Sequence, residues 1–350
     1  MNHKIEHAIA HVRATNDAAA AATQALLNAK TKPPGSLGEL EGLACRLAAI
    51  TGKSPPPRLT KAVVVMGADH GVTDEGISAY PAEVTAQMLA NFAAGGAAIN
   101  VLGRQAGATV LVVDMGSRVP PPDGTVLSKR IGPGTRNFAH EPAMTEAQAE
   151  DAILAGIEVA RGLISEGVNL IALGEMGIGN TTSASALCAA LLKVPPAEVT
   201  GRGTGIDDHT LAHKVAVIES ALVRHTPHAQ TPLQTLAAFG GFEIAGLVGV
   251  CLAGAAARVP VLLDGFITSV AALVAVRLCP LVQQHLVASH RSVEIGHAAV
   301  CKALQLTPLF DLQMRLGEGS GAALAMPMLD AAVAIVHEMA TFASAGVSSH

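Results

Sequence analysis

The sequence predicts an α/β protein: a parallel sheet flanked by helices in three layers, with a smaller helical domain formed from both chain ends. Three observations carry this. Five short runs rich in β-branched residues are almost free of charge, as strands buried on both faces are. Helical stretches separate them, which is the alternation of a layered α/β fold. Glycine-rich segments follow several of the runs, on the side where parallel sheets bind ligands.

Taken in order, residues 4–30 are Ala-rich and helical in pattern, KPPGSLG at 32–38 is a turn, and a short helix follows to about Thr51. SPPPR at 54–58 reads as a linker. The large domain is therefore placed at 60–300 and the small one at 1–59 plus 301–350. The five strand runs are 62–66 (AVVVM), 109–115 (TVLVVDM), 169–173 (NLIAL), 259–264 (VPVLLD) and 286–289 (LVAS). Helices are expected at 82–106, 146–166, 183–192, 207–224, 241–257 and 267–278, with a Pro-rich surface loop at 120–123. The last 50 residues read as helical again, which sets Glu318 at a domain interface, a common place for a site.

Composition narrows the function classes. Half of the 350 residues are hydrophobic and 15% are charged, so a large core is available. With no Trp, one Tyr and seven Phe, that core is aliphatic. A net charge of -5 and the lack of an aromatic stacking platform argue against nucleic acid. The longest uncharged apolar stretch, 244–257, is closed by Arg258 and falls short of the roughly 20 residues a spanning helix needs. It reads as a buried helix. The polar N-terminus lacks a signal core, so a cytoplasmic location is expected. Five cysteines without C-x-x-C spacing read as buried free thiols.

The chemistry concentrates in three segments. LGEGSG at 316–321 places one carboxylate, Glu318, among three glycines and a serine. Glycine permits turn conformations and close approach to a ligand. A lone acid there is better explained by proton chemistry than by packing. GEMGIGNTT at 174–182 ends a strand and opens a helix, where Asn180, Thr181 or Thr182 suits an N-cap and the exposed amides suit an anion. The alternative is a tight structural turn, which Glu175 argues against. GRGTGIDD at 201–208 offers Arg202 and Thr204 as donors, and Asp207 or Asp208 as a cap. Lys214, two turns on, faces either a phosphate or solvent; position alone favours solvent.

Weaker signals accompany these. Asp69-His70 at a strand end is an acid–base pair or a structural one. His209 and His213 have metal-compatible spacing but lack a third ligand, and exposed surface histidines are commoner. Ser78, Tyr80, Gln87 and Met88 frame a flat ligand or merely a helix start. No Walker A or full dinucleotide fingerprint is present, which argues against a kinase or dehydrogenase. Without further information the reading ends at an α/β enzyme, or a binding module, for a phosphorylated ligand.

The motifs KPPGSLGELE, GADHGV, EGISAYP, VTAQM, NFAAGGAAINVL, GEMGIGNTTSASAL, GRGTGIDD and LGEGSGAALAMP occur in one order across nearly the whole chain. Together they resemble the nicotinate-nucleotide:dimethylbenzimidazole phosphoribosyltransferase family. The resemblance implies transfer of a 5-phosphoribosyl group from nicotinate mononucleotide to 5,6-dimethylbenzimidazole. It implies inversion at the anomeric carbon, a homodimer, and no metal or cofactor. The family's general base falls on Glu318. The phosphoribosyl contacts are expected at Glu175, Gly177, Ile178, Gly179, Asn180, Thr181, Gly203, Thr204 and Lys214. Benzimidazole contacts are expected at Ser78, Tyr80, Gln87, Met176 and Leu316. The chemistry is consistent. A neutral azole is a poor nucleophile until its proton is leaving, and a desolvated carboxylate is a stronger base. On this reading a bulky residue at Gly177 raises the donor KM. The His-rich patches around His209 and His225 carry no role.

Overall fold

The computed structural model describes residues 1–122, 124–203 and 205–348. Among the described residues six parallel strands form one sheet: β1 (Lys61–Ala68), β2 (Ala108–Gly116), β3 (Leu127–Ser128), β4 (Leu170–Met176), β5 (Val261–Leu263) and β6 (Leu286–Ala288), in the order β3-β2-β1-β4-β5-β6. The winding direction reverses between β1 and β4. A ligand crevice belongs at that switch point, outside the carboxyl ends of the strands.

Side-chain alternation builds two cores from one sheet. Ala62, Val64, Met66, Ile171, Leu173, Val261 and Leu263 face one way; Val63, Val65, Leu170, Ala172 and Leu262 face the other. This is the period-2 consequence of the strand pleat. The first face is covered by α1 (His3–His11), α6 (Glu146–Ser165), α7 (Asn180–Leu192), α8 (Asp208–His225), α9 (Pro232–Phe239), α10 (Phe242–Ala256), α11 (Phe266–Leu278) and α12 (Ile295–Leu304). The second is covered by α2 (Asp17–Asn28), α3 (Glu39–Thr51), α4 (Val84–Ala93), α5 (Ala98–Gln105) and α13 (Ser320–Glu338). A short α14 (Phe342–Ala345) follows. Helix α10 lies so close to α6 that a Cβ on Gly156 would fall 1.8 Å from the Gly246 carbonyl oxygen.

Several expectations shift. The single helix read over 82–106 is two, α4 and α5, because Gly95 takes a φ of +78° between them. A Cβ on Gly96 would meet Asn91 Oδ1 at 2.5 Å. The third strand continues through Gly174, Glu175 and Met176, so Glu175 is a strand residue and not a loop residue. Helix α9 was signalled by its Thr231–Gln234 capping box with Pro232 at the first turn. Edge strand β3 is two exposed residues and leaves no periodic signal.

Residues 242–255 of α10 are all buried, as the interior reading of that apolar stretch requires. Unlike α10, helix α13 is by length and composition long and apolar enough to cross a membrane. It packs in the second core against α3, α5 and β4. Cys188, Cys251, Cys279 and Cys301 are buried and Cys45 is half-buried, all with free thiols. Burial pushes the Cys188 and Cys251 thiols up to about 12.

Candidate active site

A cavity of about 560 Å³ opens at the carboxyl ends of β4, β5 and β6. Part of its wall is the first turn of α7 and the segment leading into α13, and both helices begin in the same way. Gly179 and Gly319 are the N-caps, in left-handed conformations at φ +92° and +91°. That conformation is open to glycine at little cost. The N-cap of α7 is thus the glycine, and the three polar residues after it are free for other work.

Glu318 sits between Gly317 (φ +84°) and Gly319, and is itself left-handed at φ +63°. For a non-glycine residue this costs of order 1–3 kcal/mol and is held only by its surroundings. The surroundings are on three sides. Asp264, at the end of β5, accepts hydrogen bonds from the backbone N–H groups of Gly319, Gly321 and Ala322 at 3.1, 2.7 and 3.1 Å. A Cβ on Gly174 of β4 would fall 2.4 Å from the Glu318 carbonyl oxygen. The backbone N–H of Ile99, in the first turn of α5, donates to Glu318 Oε2 at 3.3 Å. The break between α4 and α5 is what brings that helix end to the carboxylate. Burial pushes the Glu318 carboxyl above its ordinary value; the Ile99 N–H opposes this and the Asp264 charge adds to it.

Glu175 lies beside it. A Cβ on Gly317 would fall 2.2 Å from Glu175 Oε1, so only glycine fits there. Asn180 donates to Glu175 Oε2. Burial, followed by the charge of Asp264, pushes Glu175 up to about 8, with Glu243 and Glu318 adding and Asn180 opposing. At neutral pH this carboxyl is largely protonated, and so does not repel an anion.

Lys214 is buried and points inward, contrary to the solvent-facing expectation. Its Nζ donates to Thr181 Oγ1 at 2.9 Å and to the Gly201 carbonyl at 3.3 Å. Burial lowers its pKa to about 8, against the charge of Glu294. A cation and the positive end of α7 therefore share one corner, which is an anion site by charge and dipole. Arg315 closes the rim by donating to the Gly203 carbonyl at 2.9 Å. The opposite wall is apolar: Ile77, Val84, Met88, Met176, Phe266, Ile267 and Leu316.

The cavity gathers Glu318, Glu175, Met176, Gly177, Ile178, Gly179, Asn180, Thr181, Gly203, Lys214, Ser78, Tyr80 and Leu316. Thr204 lies outside the described residues. Gln87 does not line it: α4 turns Val84 and Met88 inward and leaves Gln87 exposed. The Ile178 N–H is committed to Thr85 Oγ1 at 3.1 Å. A side chain at Gly177 would strike the Ala68 carbonyl at 2.5 Å and the His70 ring, so bulk there disrupts the floor and does not probe the donor. His70 is buried outside the cavity, with Nε2 2.7 Å from Glu243 Oε1 and Nδ1 2.9 Å from Ser183 Oγ. Both of its ring nitrogens are engaged by protein groups. His213 contacts the Glu75 carbonyl and His225 the Phe138 carbonyl, at 2.9 and 2.8 Å. Sequence reasoning missed Asp264, His290, Ser292 and Glu294. The available signal was their position, just past the β5 and β6 runs.

Comparison with known proteins agrees in extent. A family model described as "Phosphoribosyltransferase" matches residues 12–347. A Roseiflexus nicotinate-nucleotide–dimethylbenzimidazole phosphoribosyltransferase is 54% identical over 345 residues, 98% of each chain. The enzyme of that name from Halalkalibacterium halodurans is 53% identical over 322 residues, 92% of this chain and 90% of that one. The crystal structure of CobT from Thermus thermophilus superposes with a TM-score of 0.92 at 48% identity, covering 95% of this chain and all of that one. This chain belongs to the nicotinate-nucleotide–dimethylbenzimidazole phosphoribosyltransferase family of pentosyltransferases.

Proposed function

We propose that this enzyme transfers the 5-phosphoribosyl group of nicotinate mononucleotide to 5,6-dimethylbenzimidazole. The products are α-ribazole 5'-phosphate and nicotinate, formed with inversion at the anomeric carbon, for the lower ligand of cobalamin. The observation that carries the reading is Glu318: a buried carboxylate, raised above its ordinary value, held left-handed in a cavity that also contains an anion corner.

The donor phosphate goes to Lys214, Thr181 and the first turn of α7. The benzimidazole goes between Met88, Met176 and Leu316, with Ser78 and Tyr80 at the mouth. Glu318 takes the azole N–H proton while the other ring nitrogen attacks the anomeric carbon. The C–N bond to the pyridinium breaks, and its electron pair neutralises the ring nitrogen of departing nicotinate. That leaving group is already cationic, so no strong acid is needed, and holding two flat rings and a sugar in line supplies much of the acceleration. Protonated Glu175 can donate a hydrogen bond to the donor without opposing its charge. The enzyme is further proposed to be a cytoplasmic homodimer.

The test mixes purified protein with both substrates and follows nicotinate and α-ribazole phosphate by chromatography with mass detection. Equal release of the two is expected. Glu318→Gln should fold normally and turn over roughly 10²–10⁴-fold more slowly. A rate within a few-fold of wild type would remove Glu318 from the base role.

A further inference from the structure

The turn after β6, residues 289–294, lines the cavity beside the anion corner and has no part in the steps above. Ser292 N–H donates to His297 Nδ1 at 2.9 Å, which fixes the turn. Glu294 is nine-tenths buried there. Three carboxylates line the cavity among the described residues, Glu175, Glu294 and Glu318. Glu175 accepts from Asn180 and Glu318 accepts from Ile99. The Oε2 atom of Glu294 is buried with no hydrogen-bond partner, as is Nδ1 of His290 on the same turn. Buried acceptors are rarely left without a donor. Oε2 itself is shut off against the Gly201 backbone; Glu294 also lines the cavity, where a bound ligand can supply a donor to its carboxylate.

Charge decides which part of a ligand that is. A carboxylate repels phosphate, so Glu294 does not share the phosphate with Lys214. The two are nevertheless neighbours. Lys214 Nζ is held by the Gly201 carbonyl, and a Cβ on Gly201 would fall 2.0 Å from Glu294 Oε2. A group bonded directly to the phosphate-bearing unit, neutral and rich in O–H donors, fits that place. The vicinal hydroxyls of a phosphoribosyl group are such donors, and a carboxylate has two acceptor oxygens to meet them.

We propose that Glu294 reads the ribose: it accepts hydrogen bonds from the ring hydroxyls of the phosphoribosyl group and selects ribose over 2-deoxyribose. The proposal rests on the phosphoribosyl-transfer reading above.

Titration calorimetry of the full chain with ribose 5-phosphate and with 2-deoxyribose 5-phosphate tests it without turnover. Wild type should bind the ribose form about tenfold tighter or more, as a charge-assisted hydrogen bond allows. Glu294→Gln should bring the ratio within about threefold by weakening the ribose form alone. Glu294→Asp keeps the charge beside Lys214 but withdraws the oxygens by one methylene, and should lose the preference too. Equal wild-type affinities overturn the proposal, and so does an unchanged ratio in either variant. A parallel loss for both sugars would assign Glu294 to holding Lys214, which also overturns it. Failure of the transfer reading shows separately, as no nicotinate release by wild type, while the sugar ratio still reports on Glu294.

Discussion

Two acids of one cavity differ at the residue scale because their surroundings differ. Both line the cavity, but Glu318 accepts from a backbone N–H, whereas Glu175 accepts from a side-chain amide and feels the charges of Asp264, Glu243 and Glu318. The raised pKa of Glu318 predicts that kcat/KM rises with pH through a value above the ordinary 4.5, and that Glu318→Gln abolishes this limb in a pH–rate profile. Glu175 makes a prediction about stability. Its pKa is raised on folding, so its contribution is full below 4.5 and is lost as pH rises through about 8. Glu175→Gln mimics the protonated form. Thermal unfolding at pH 6 and pH 9 should show a smaller loss of Tm on raising the pH in the variant than in wild type.

Helix ends organise the site at the element scale. Helices α7 and α13 start on left-handed glycines beside the cavity, and α5 starts just after a glycine break and directs its Ile99 N–H at Glu318. Asp264 ties the α13 start to β5 through three backbone N–H groups. Asp264→Asn turns an amide toward at least one of them and should cost about 1–3 kcal/mol of stability. It should also lower kcat more than it raises the donor KM, since it acts through the placement of Glu318. Denaturant unfolding and steady-state kinetics check the two parts. Lys214→Met replaces the Gly177 test: it should raise the donor KM at least tenfold, the worth of a charged hydrogen bond of about 1.5–3 kcal/mol.

The described residues form one sheet with two cores, and the cavity lies at the carboxyl ends of β4, β5 and β6, next to the β1–β4 step where the winding reverses. We propose the division into 60–300 and 1–59 plus 301–350 as two units. The bridge between Lys30 and Thr341 and the packing of α13 on α2 and α3 support it, while α1 lies apart, against α6 and α10. A donor bound at the cavity joins α7, α8, the β6 turn and the α13 start. At a hundred times its Kd it should stabilise the fold by about 2.7 kcal/mol, read as a rise in Tm in a thermal scan. Sedimentation at twice the chain mass would support the homodimer. Leu316, which lines the cavity, is an exposed apolar residue.

The sequence by itself determined the layered parallel sheet, because β-branched runs almost free of charge suit strands buried on both faces and alternate with helical stretches. It also singled out Glu318 and the α7 turn, because glycines around an acid or before a helix are local signals that survive without coordinates. Tertiary structure alone decided the direction of side chains. Lys214 reads as exposed from its helix position, yet the fold turns it onto Thr181. Gln87 reads as a contact, yet α4 is rotated to present Val84 and Met88. Asp264 follows β5 while His290 and Glu294 follow β6, and their meeting is set by the pairing of β5 with β6, a long-range arrangement that no local window contains.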